Sequence, residues 1–348
     1  MEQQYDNTTE QAPDTQEPME KQVQNQASEL LAPTMYNVLH AVSAIQAEIA
    51  KVIVGQIDVL QLLIAGILSG GHILIEGVPG VAKTLTAKLL ARSIQAPFSR
   101  IQFTPDLMPS DVLGTSIYNP RTNNFEFKAG PIFSSIILID EINRSPAKTQ
   151  AALFEVMEEK QITIDGTTHT MQTPFMVLAT QNPIEQEGTY RLPEAQLDRF
   201  LFKINVPYPT PEQEVTILAN HHALQNNEAL SRINTILTSD TVTQLQAQVK
   251  TVYADAKLLP YIAQIVTSTR THGAIYMGAS PRASIGILNA SKAIAAMAGR
   301  NFITPDDVKY VAKPVLRHRI ILTPDKEMEG VLVDDVITEI INEIEIPR

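Results

Sequence analysis

Short apolar runs separated by helical patterns dominate the chain between about residues 70 and 210. The runs at 73–75, 136–139 and 175–180 have the mostly apolar side chains of buried strands, and the segments 98–103 and 201–206 also resemble strands. A strand that is apolar at consecutive positions is covered on both faces, which is typical of a parallel sheet. The pattern therefore predicts an α/β domain built on a parallel sheet.

Amphipathic helices and two hairpins accompany these strands. Apolar residues recur at helical spacing over 36–51, 57–68 and 150–160. The segment 115–127 alternates around an Asn-rich tip, and the segment 162–175 has Asp165-Gly166 at its turn. Both segments are predicted to be β-hairpins that project from the α/β domain.

Prolines at positions 207, 209 and 211 end the strand pattern and mark a domain boundary. Beyond them, helical spacing recurs over 211–224, 240–252, 255–272, 281–299, 304–317 and 326–344. Thr304, Pro305 and the two acids that follow form a strong helix start signal. The sequence thus predicts a tail at 1–30, an α/β domain at 31–208 and an all-helical domain at 209–348.

Composition limits the class and location of the protein. A chain of 348 residues with 44% apolar content can bury a sizeable core in each of two domains. It has no cysteine, which excludes disulfides and thiolate chemistry. No run approaches the roughly eighteen apolar residues of a membrane span, and the N-terminus has no apolar signal-like region. We expect a cytoplasmic protein that does not span a membrane.

Negative charge is concentrated at the N-terminus. Seven acids and one lysine within 1–30 contribute −6 of the net charge of −11. Few large apolar residues accompany them, so we expect a disordered tail, either a solvated extension or an interaction arm. The rest of the chain is mildly acidic and offers no basic stripe, so no nucleic-acid partner is expected.

The segment 72–90 combines a strand, a glycine-containing loop and a helix. Gly77, Lys83 and Thr84 have the spacing at which backbone N–H groups surround phosphates, a lysine reaches the terminal phosphates and a hydroxyl holds Mg²⁺. Ala82 stands where glycine is usual, so the loop must tolerate a Cβ there. A glycine loop without a ligand is the alternative.

A Val54-Gly55 turn suits an adenine pocket, although packing explains it almost as well. The residues predicted to bind ATP and Mg²⁺ are Val54, Gly55, Gly77, Val78, Pro79, Gly80, Val81, Ala82, Lys83, Thr84, Leu85 and Asp140, with Thr84 and Asp140 at the metal.

Polar side chains follow two of the predicted strands. Asp140 and Glu141 end the run at 136–139, and Asn182 follows the run at 175–180. Ligands of parallel sheets lie beyond the carboxyl ends of the strands, so these groups are expected to face the phosphates. Asp140 would hold Mg²⁺, Glu141 would orient and deprotonate the attacking water, and Asn182 would polarise it. A solvated turn and a turn-forming Asn-Pro pair are the alternatives.

Five segments resemble those of the AAA+ ATPases: GVPGVAKT, IILIDEINR, ATQNP, LPEAQLDRF and GASPRA. The succession DEINR, QNP and LPEAQLDRF is similar specifically to the MoxR family, over about residues 35–348. The resemblance implies a P-loop nucleotide-binding domain followed by a helical lid, assembled into a ring, usually a hexamer, with ATP between subunits. It also implies that the two hairpins are family inserts that face the ring pore or the substrate.

Individual roles follow from the same resemblance. Lys83 and Thr84 match Walker A, Asp140 and Glu141 match Walker B, and Asn182 matches sensor 1. Arg199 matches the arginine finger that acts on a neighbour's nucleotide, and Arg282 matches sensor 2. A surface ion pair is the alternative for both arginines. Arg191 stands where the family pattern has proline, and whether it also contacts a neighbouring nucleotide stays open.

The resemblance implies ATP hydrolysis that drives chaperone-like remodelling, assembly or maturation of protein clients. A partner with a von Willebrand A domain is implied on the same basis. One rival is a nucleic-acid motor or helicase of the same clade, which the acidic balance and the lack of a basic run disfavour. Another is a slow nucleotide-gated switch, which the presence of Glu141 and Arg199 disfavours.

Overall fold

The computed structural model describes residues 35–182, 190, 192–223 and 229–347. The predicted tail at 1–30 and Arg191 lie outside the described residues. The described chain begins with α1 (Met35–Ala50) and α2 (Ile57–Ser69), followed by β1 (His72–Gly77). The apolar stripe predicted for α1 is buried, and α2 ends at Gly70 in the left-handed conformation, with φ 66°.

The elements after β1 are α3 (Lys83–Ser93), β2 (Phe98–Gln102), α4 (Pro109–Leu113), β3 (Gly114–Asn119), β4 (Asn124–Ala129), β5 (Ile136–Asp140), α5 (Ala147–Glu159), β6 (Gln161–Ile164), β7 (Thr167–Thr170), β8 (Met176–Gln181), α6 (Glu194–Leu197) and β9 (Phe200–Val206). β1 and four of these strands form a parallel sheet with strand order β2-β5-β8-β1-β9. This sheet confirms the predicted fold class.

Both predicted hairpins are present, as β3/β4 and β6/β7. Asp165 and Gly166 both have positive φ, of 50° and 78°, which matches the tight turn expected from an Asp-Gly pair. The hairpins contact each other, because the Ser116 hydroxyl donates a hydrogen bond to the Asp165 carboxylate. The ring of Phe127 also stacks on His169, with 4.2 Å between centroids.

The C-terminal part is a helical lid, as predicted, with two differences. Its elements are α7 (Pro211–Ala223), α8 (Ser239–Lys250), α9 (Leu258–Ser268), β10 (Ile275–Met277), α10 (Pro281–Met297), α11 (Pro305–Leu316), β11 (Ile321–Leu322), α12 (Pro324–Met328) and α13 (Val333–Glu343). β10 and β11 form a short antiparallel ribbon, so the lid is not entirely helical. The predicted single helix at 326–344 is wrong, because the left-handed Gly330, with φ 76°, separates α12 from α13.

Alternating side chains of the sheet enter two apolar clusters. Ile73, Ile75 and Leu138 face α1, α2, α3 and the lid helices, whereas Leu74 and Ile139 face α5. The lid therefore shares one core with the N-terminal helices, and the domain boundary near residue 208 stays a prediction. In the part of the chain that the structure describes, no helix combines the length and the apolar content needed to cross a membrane.

His72 anchors the start of β1 between two elements. Its side chain is buried, with Nε2 3.0 Å from the carbonyl oxygen of Met157 and Nδ1 accepting a hydrogen bond from the N–H of Val177 at 3.0 Å. Together these contacts require a neutral ring with its proton on Nε2. Burial lowers the pKa of His72 to about 4, with a smaller contribution from Lys160, against the raising effect of the Met157 carbonyl.

We expect this burial to make folding acid-sensitive. The unfolded chain binds a proton at the ordinary histidine pKa of about 6.5, whereas folded His72 binds one only near pH 4. The contribution of neutral His72 to the free energy of unfolding is therefore fully present above pH 6.5. About 3 kcal/mol of this free energy is lost as the pH falls to 4. Denaturant unfolding between pH 4 and 8 measures this loss.

The matched comparison is His72→Gln, which does not titrate. Burial also lowers the pKa of His318 well below its ordinary value, so the wild-type curve contains both histidines and only the difference between the two proteins isolates His72. Parallel curves for wild type and His72→Gln would contradict the assignment.

Candidate active site

The carboxyl ends of four neighbouring strands form one edge of the sheet. Gln102 at the end of β2 pairs with Asp140 at the end of β5, and Glu76 near the end of β1 pairs with Gln181 at the end of β8. Asn182 follows β8 directly. The predicted acidic residues, Asn182 and the loop after β1 therefore lie along the same edge, as ligand sites of parallel sheets do.

The loop after β1 uses two left-handed residues to reach α3. Gly80 has φ 89° and Ala82 has φ 59°. A Cβ built on Gly80 would meet no atom within 4 Å among the described residues, so the loop surface is open at this point. Ala82 accepts the conformation that glycine usually takes there, which for a residue with a Cβ costs about 1 kcal/mol. The loop therefore accommodates Ala82, the residue at which this sequence departs from the usual P-loop pattern.

Lys83 is the first residue of α3, and its side chain points back across the loop. Its Nζ donates a hydrogen bond to the carbonyl oxygen of Gly77. Burial lowers the pKa of Lys83, while the nearby carboxylates of Asp140, Glu141 and Glu76 oppose that shift. A cation held in a loop of backbone N–H groups at a helix N-terminus suits an anionic phosphate. The residues present therefore fit a nucleotide phosphate.

Asp140 is buried and paired with a cation. Arg100 Nε lies 2.6 Å from its Oδ2, and the Thr180 hydroxyl donates to its Oδ1 at 3.3 Å. Arg100 offsets the cost of burying this carboxylate. The oxygens of Asp140 and Thr84 are the hard ligands that Mg²⁺ prefers, so this pair could hold the ion together with water and phosphate.

Glu141 adopts a left-handed backbone conformation, with φ 57°. Its N–H donates to the Thr180 hydroxyl at 3.1 Å, and its Oε2 lies 2.9 Å from Gln102 Nε2 and 3.1 Å from Arg144 Nε. Non-glycine residues in this conformation are often found at functional sites, where the surrounding structure maintains them. The contacts hold the carboxylate at the edge of the sheet, beside the predicted phosphate position.

Sequence reasoning missed Arg100, Gln102 and Thr180 as neighbours of the two carboxylates. A signal for Gln102 was available, since it is polar at the end of a predicted strand in the same way as Asp140. Arg100 and Thr180 are placed by strand order, because β2 and β8 flank β5. That order is not encoded in the local pattern of any one strand.

A cavity of about 430 Å³ lies next to the loop. Its volume falls in the range of small-molecule sites. Gly55 has φ 75°, and a Cβ there would collide with the side chain of Gln213 from α7. The lining includes the predicted contacts Val54, Gly55, Gly80, Val81, Ala82 and Leu85, together with Tyr208 and Ile217 from the chain after β9. The predicted adenine contacts and part of the phosphate loop therefore share one cavity.

The two predicted catalytic arginines lie elsewhere. Arg199 precedes Phe200, which pairs with His72 at the start of β1. The loop that leads to Lys83 follows the other end of that strand, roughly 16 Å away. Arg282 lies beside Arg199 because both bind Glu158. The structure therefore does not bring either arginine to the phosphate loop of its own chain, and both form the ion pairs named as the alternative.

Comparison with known proteins matches this architecture. A family model described as "ATPase family associated with various cellular activities (AAA)" matches residues 72–202, and an AAA lid domain model matches residues 267–340. The chain is 45% identical over 299 residues to the uncharacterized protein YeaC of Bacillus subtilis, covering 86% of this chain and 92% of the relative. It is 42% identical over 319 residues to chaperone MoxR1 of Mycobacterium tuberculosis, covering 89% of this chain and 83% of the relative. The chain belongs to the MoxR family of AAA+ ATPases.

Structural similarity extends over most of this MoxR-family chain. A crystal structure of a protein from Cytophaga hutchinsonii, provisionally assigned as an ATPase, superposes with a TM-score of 0.84 at 41% identity. The match covers 95% of this chain and 100% of that protein. The resemblance inferred from the sequence motifs is thus confirmed at the level of the MoxR family, its AAA domain and its lid.

Proposed function

We propose that this MoxR-family chain hydrolyses ATP in a Mg²⁺-dependent reaction and uses the cycle to remodel, assemble or mature protein clients. The observation that carries the proposal is the edge of the sheet where Lys83, Asp140 and Glu141 converge. The lysine is close enough to both carboxylates for them to raise its pKa against the effect of burial. Such an arrangement is suited to phosphoryl transfer to water.

Each group has a distinct role in this proposal. Lys83 would leave the Gly77 carbonyl and bind the terminal phosphates. Asp140 and Thr84 would hold Mg²⁺, which neutralises charge on the transferred phosphoryl group. Glu141 would take the proton of the attacking water, which Asn182 would help to orient. The cavity beside Val54 and Gly55 would hold the adenosine.

The positions of Arg199 and Arg282 support a ring. Neither side chain can span the roughly 16 Å along β1 to its own phosphate loop. In a head-to-tail contact between copies, the surface that carries Arg199 and Arg282 in one subunit would face the nucleotide of the next subunit. Repeated contacts of this kind form a ring when the rotation between neighbouring subunits returns to the first copy. We propose that both arginines act in trans. Closure at six copies rests on the family resemblance.

The hairpins offer a surface for a protein client. Tyr118 and Phe125 on β3 and β4 contact each other edge to face, with 5.6 Å between ring centroids, and both are exposed. Aromatic side chains are enriched in protein interfaces. The name of the relative chaperone MoxR1 supports a protein client. A von Willebrand A domain partner is proposed from the family resemblance, and the cytoplasmic location stays a prediction.

We expect the purified protein to release phosphate from ATP. We expect that DNA and RNA neither bind the protein at physiological salt nor raise the rate of phosphate release. A net charge of −11 disfavours binding to phosphate backbones, and even non-specific binders reach dissociation constants of only about 10⁻⁴ to 10⁻⁶ M there. Phosphate release and fluorescence anisotropy measure the two quantities. Lys83→Ala is the control for contaminating ATPases, since it should not bind ATP tightly.

Two outcomes would favour the rivals. Micromolar, salt-sensitive nucleic-acid binding with stimulated turnover would favour a helicase or motor. Tight ATP binding with scarcely any turnover would favour a nucleotide-gated switch.

A further inference from the structure

Glu158 holds side by side the two arginines proposed to act in trans, Arg199 and Arg282. It lies in the last turn of α5, with Oε2 2.6 Å from a terminal nitrogen of Arg199 and Oε1 2.5 Å from a terminal nitrogen of Arg282. Each carboxylate oxygen therefore binds one guanidinium group. The arginines come from different parts of the chain, one from the residue before β9 and the other from the first turn of α10.

Asp198 is also near Arg282 but is engaged in another contact. Its Oδ1 binds the buried Arg319 at 2.7 Å, and its Oδ2 accepts a hydrogen bond from the Ser280 hydroxyl at 2.8 Å. The distance from Asp198 to Arg282 is longer, at 3.8 Å. Asp198 thus fixes the start of α10 to the sheet, and Glu158 is left as the close carboxylate partner of Arg282.

The backbone of α5 also supports Arg199. The carbonyl oxygen of Phe154 accepts a hydrogen bond from the same terminal nitrogen at 2.8 Å. Arg199 Nε is buried and has no hydrogen-bond partner within the described ranges. Together these contacts fix the position of a guanidinium whose donor capacity is not fully used.

The arginine pair faces an opening at the surface. The space beside Glu158, Arg199 and Arg282 has a volume of about 240 Å³, and Arg282 is about half exposed. Two guanidinium groups close together repel each other, and the carboxylate between them offsets this repulsion. An anion that enters the opening would meet both cations at once.

We propose that Glu158 is a positioning residue that holds Arg199 and Arg282 as one pair for the terminal phosphate of the next subunit's ATP. The inference rests on the proposed function, because it requires a ring in which these arginines act in trans. Without Glu158 each arginine would adopt other rotamers, and the pair would have to be ordered again during each turnover.

A mixed ring tests the proposal. The donor subunit carries Lys83→Ala and supplies arginines without binding ATP tightly. The acceptor carries Arg199→Ala and keeps its phosphate loop. The two are co-expressed with different tags and purified through both, so that every assembly contains both subunits. The readouts are the kcat and KM for ATP of the assembly.

Glu158→Gln in the donor is expected to lower the kcat of the mixed ring about tenfold, with KM for ATP little changed, because the ATP site of the acceptor is intact. The same substitution in the acceptor should cost far less, since its arginine pair already lacks Arg199. The matched control is Glu159→Gln in the donor, which makes the same charge change on the next residue of α5. Glu159 is exposed, and no contact with either arginine is found for it in the described structure.

The other outcomes separate the two hypotheses. If Glu158→Gln lowers the kcat of the mixed ring equally in the donor and in the acceptor, Glu158 supports the fold, and this inference alone is overturned. An unchanged kcat with Glu158→Gln in the donor would also overturn this inference alone. No doubly tagged assembly, or no activity in the assembly without the Glu158 change, would overturn the proposed trans action and this inference with it.

Discussion

Arg199→Ala is expected to bind ATP nearly normally and to hydrolyse it about 10³-fold more slowly. A guanidinium that reaches the γ-phosphate from a neighbouring subunit stabilises charge in the transition state, and its loss commonly reduces the rate by that amount or more. Binding should persist because Arg199 lies at the opposite end of β1 from the phosphate loop. Steady-state phosphate release and the binding of a fluorescent ATP analogue measure the two effects.

The size of the effect separates this role from a surface ion pair. A 10³-fold loss corresponds to about 4 kcal/mol of activation free energy. Removing the partly exposed contact with Glu158 would cost at most about 1 kcal/mol of folding stability and no catalysis. A small drop in melting temperature with a wild-type rate would therefore support the ion-pair alternative.

Mixing distinguishes trans action from a folding defect in Arg199→Ala. Lys83→Ala has an intact arginine and Arg199→Ala an intact phosphate loop, so a mixed ring contains interfaces in which both parts are present. Activity should reappear when the two inactive proteins share a ring. Doubly tagged rings without recovery, or full activity of Arg199→Ala alone, would contradict the assignment.

The strands and the phosphate loop were predictable because their signals are local. β1, β5 and β8 each contain three or four consecutive apolar residues, and the polar residues that end β5 and β8 follow these runs in the chain. Strands of a parallel sheet end at a common edge, so the proximity of Lys83, Asp140 and Glu141 followed from the fold class. The Asp-Gly turn at Gly166 was predictable for the same reason, since two residues determine it.

Contacts that depend on tertiary arrangement were not predictable. Arg100 and Asp140 are 40 residues apart, and Glu158 and Arg282 are 124 apart. No pattern within one helix or strand records such a pair. The prediction of one helix at 326–344 was wrong for a local reason. Apolar residues keep a helical spacing on both sides of Gly330, so the spacing gives no sign of the left-handed residue that divides the segment.

The position of Arg282 changes the interpretation of its motif. The sequence indicates only that an arginine opens a lid helix after Ser280-Pro281. In the structure the lid shares the core of α1 and α2, and Asp198 ties the start of α10 to the end of the sheet opposite the phosphate loop. A residue matched to sensor 2 thus becomes part of the same surface as the predicted arginine finger.

Glu141→Gln is expected to bind ATP and to hydrolyse it at least about a hundredfold more slowly, the usual scale for a lost general base. Glutamine keeps the shape of the side chain and can still accept a hydrogen bond from Gln102 or Arg144, so the local fold should persist. It cannot accept a proton from the attacking water. Single-turnover phosphate release with bound ATP measures the chemical step directly.

Glu76→Gln is the matched control for Glu141→Gln. Both carboxylates oppose the lowering of the pKa of Lys83, but that of Glu76 is paired with Lys203 at 2.8 Å. If Glu141 acted only through the charge on Lys83, both substitutions would lower ATP binding and neither would act selectively on the chemical step. If Glu141 is the base, only its replacement should produce an ATP-bound, slowly turning state. The ATP-bound Glu141→Gln protein should also retain protein clients in an ATP-dependent pull-down. Turnover of Glu141→Gln at the wild-type rate would rule out the assignment of Glu141 as the base.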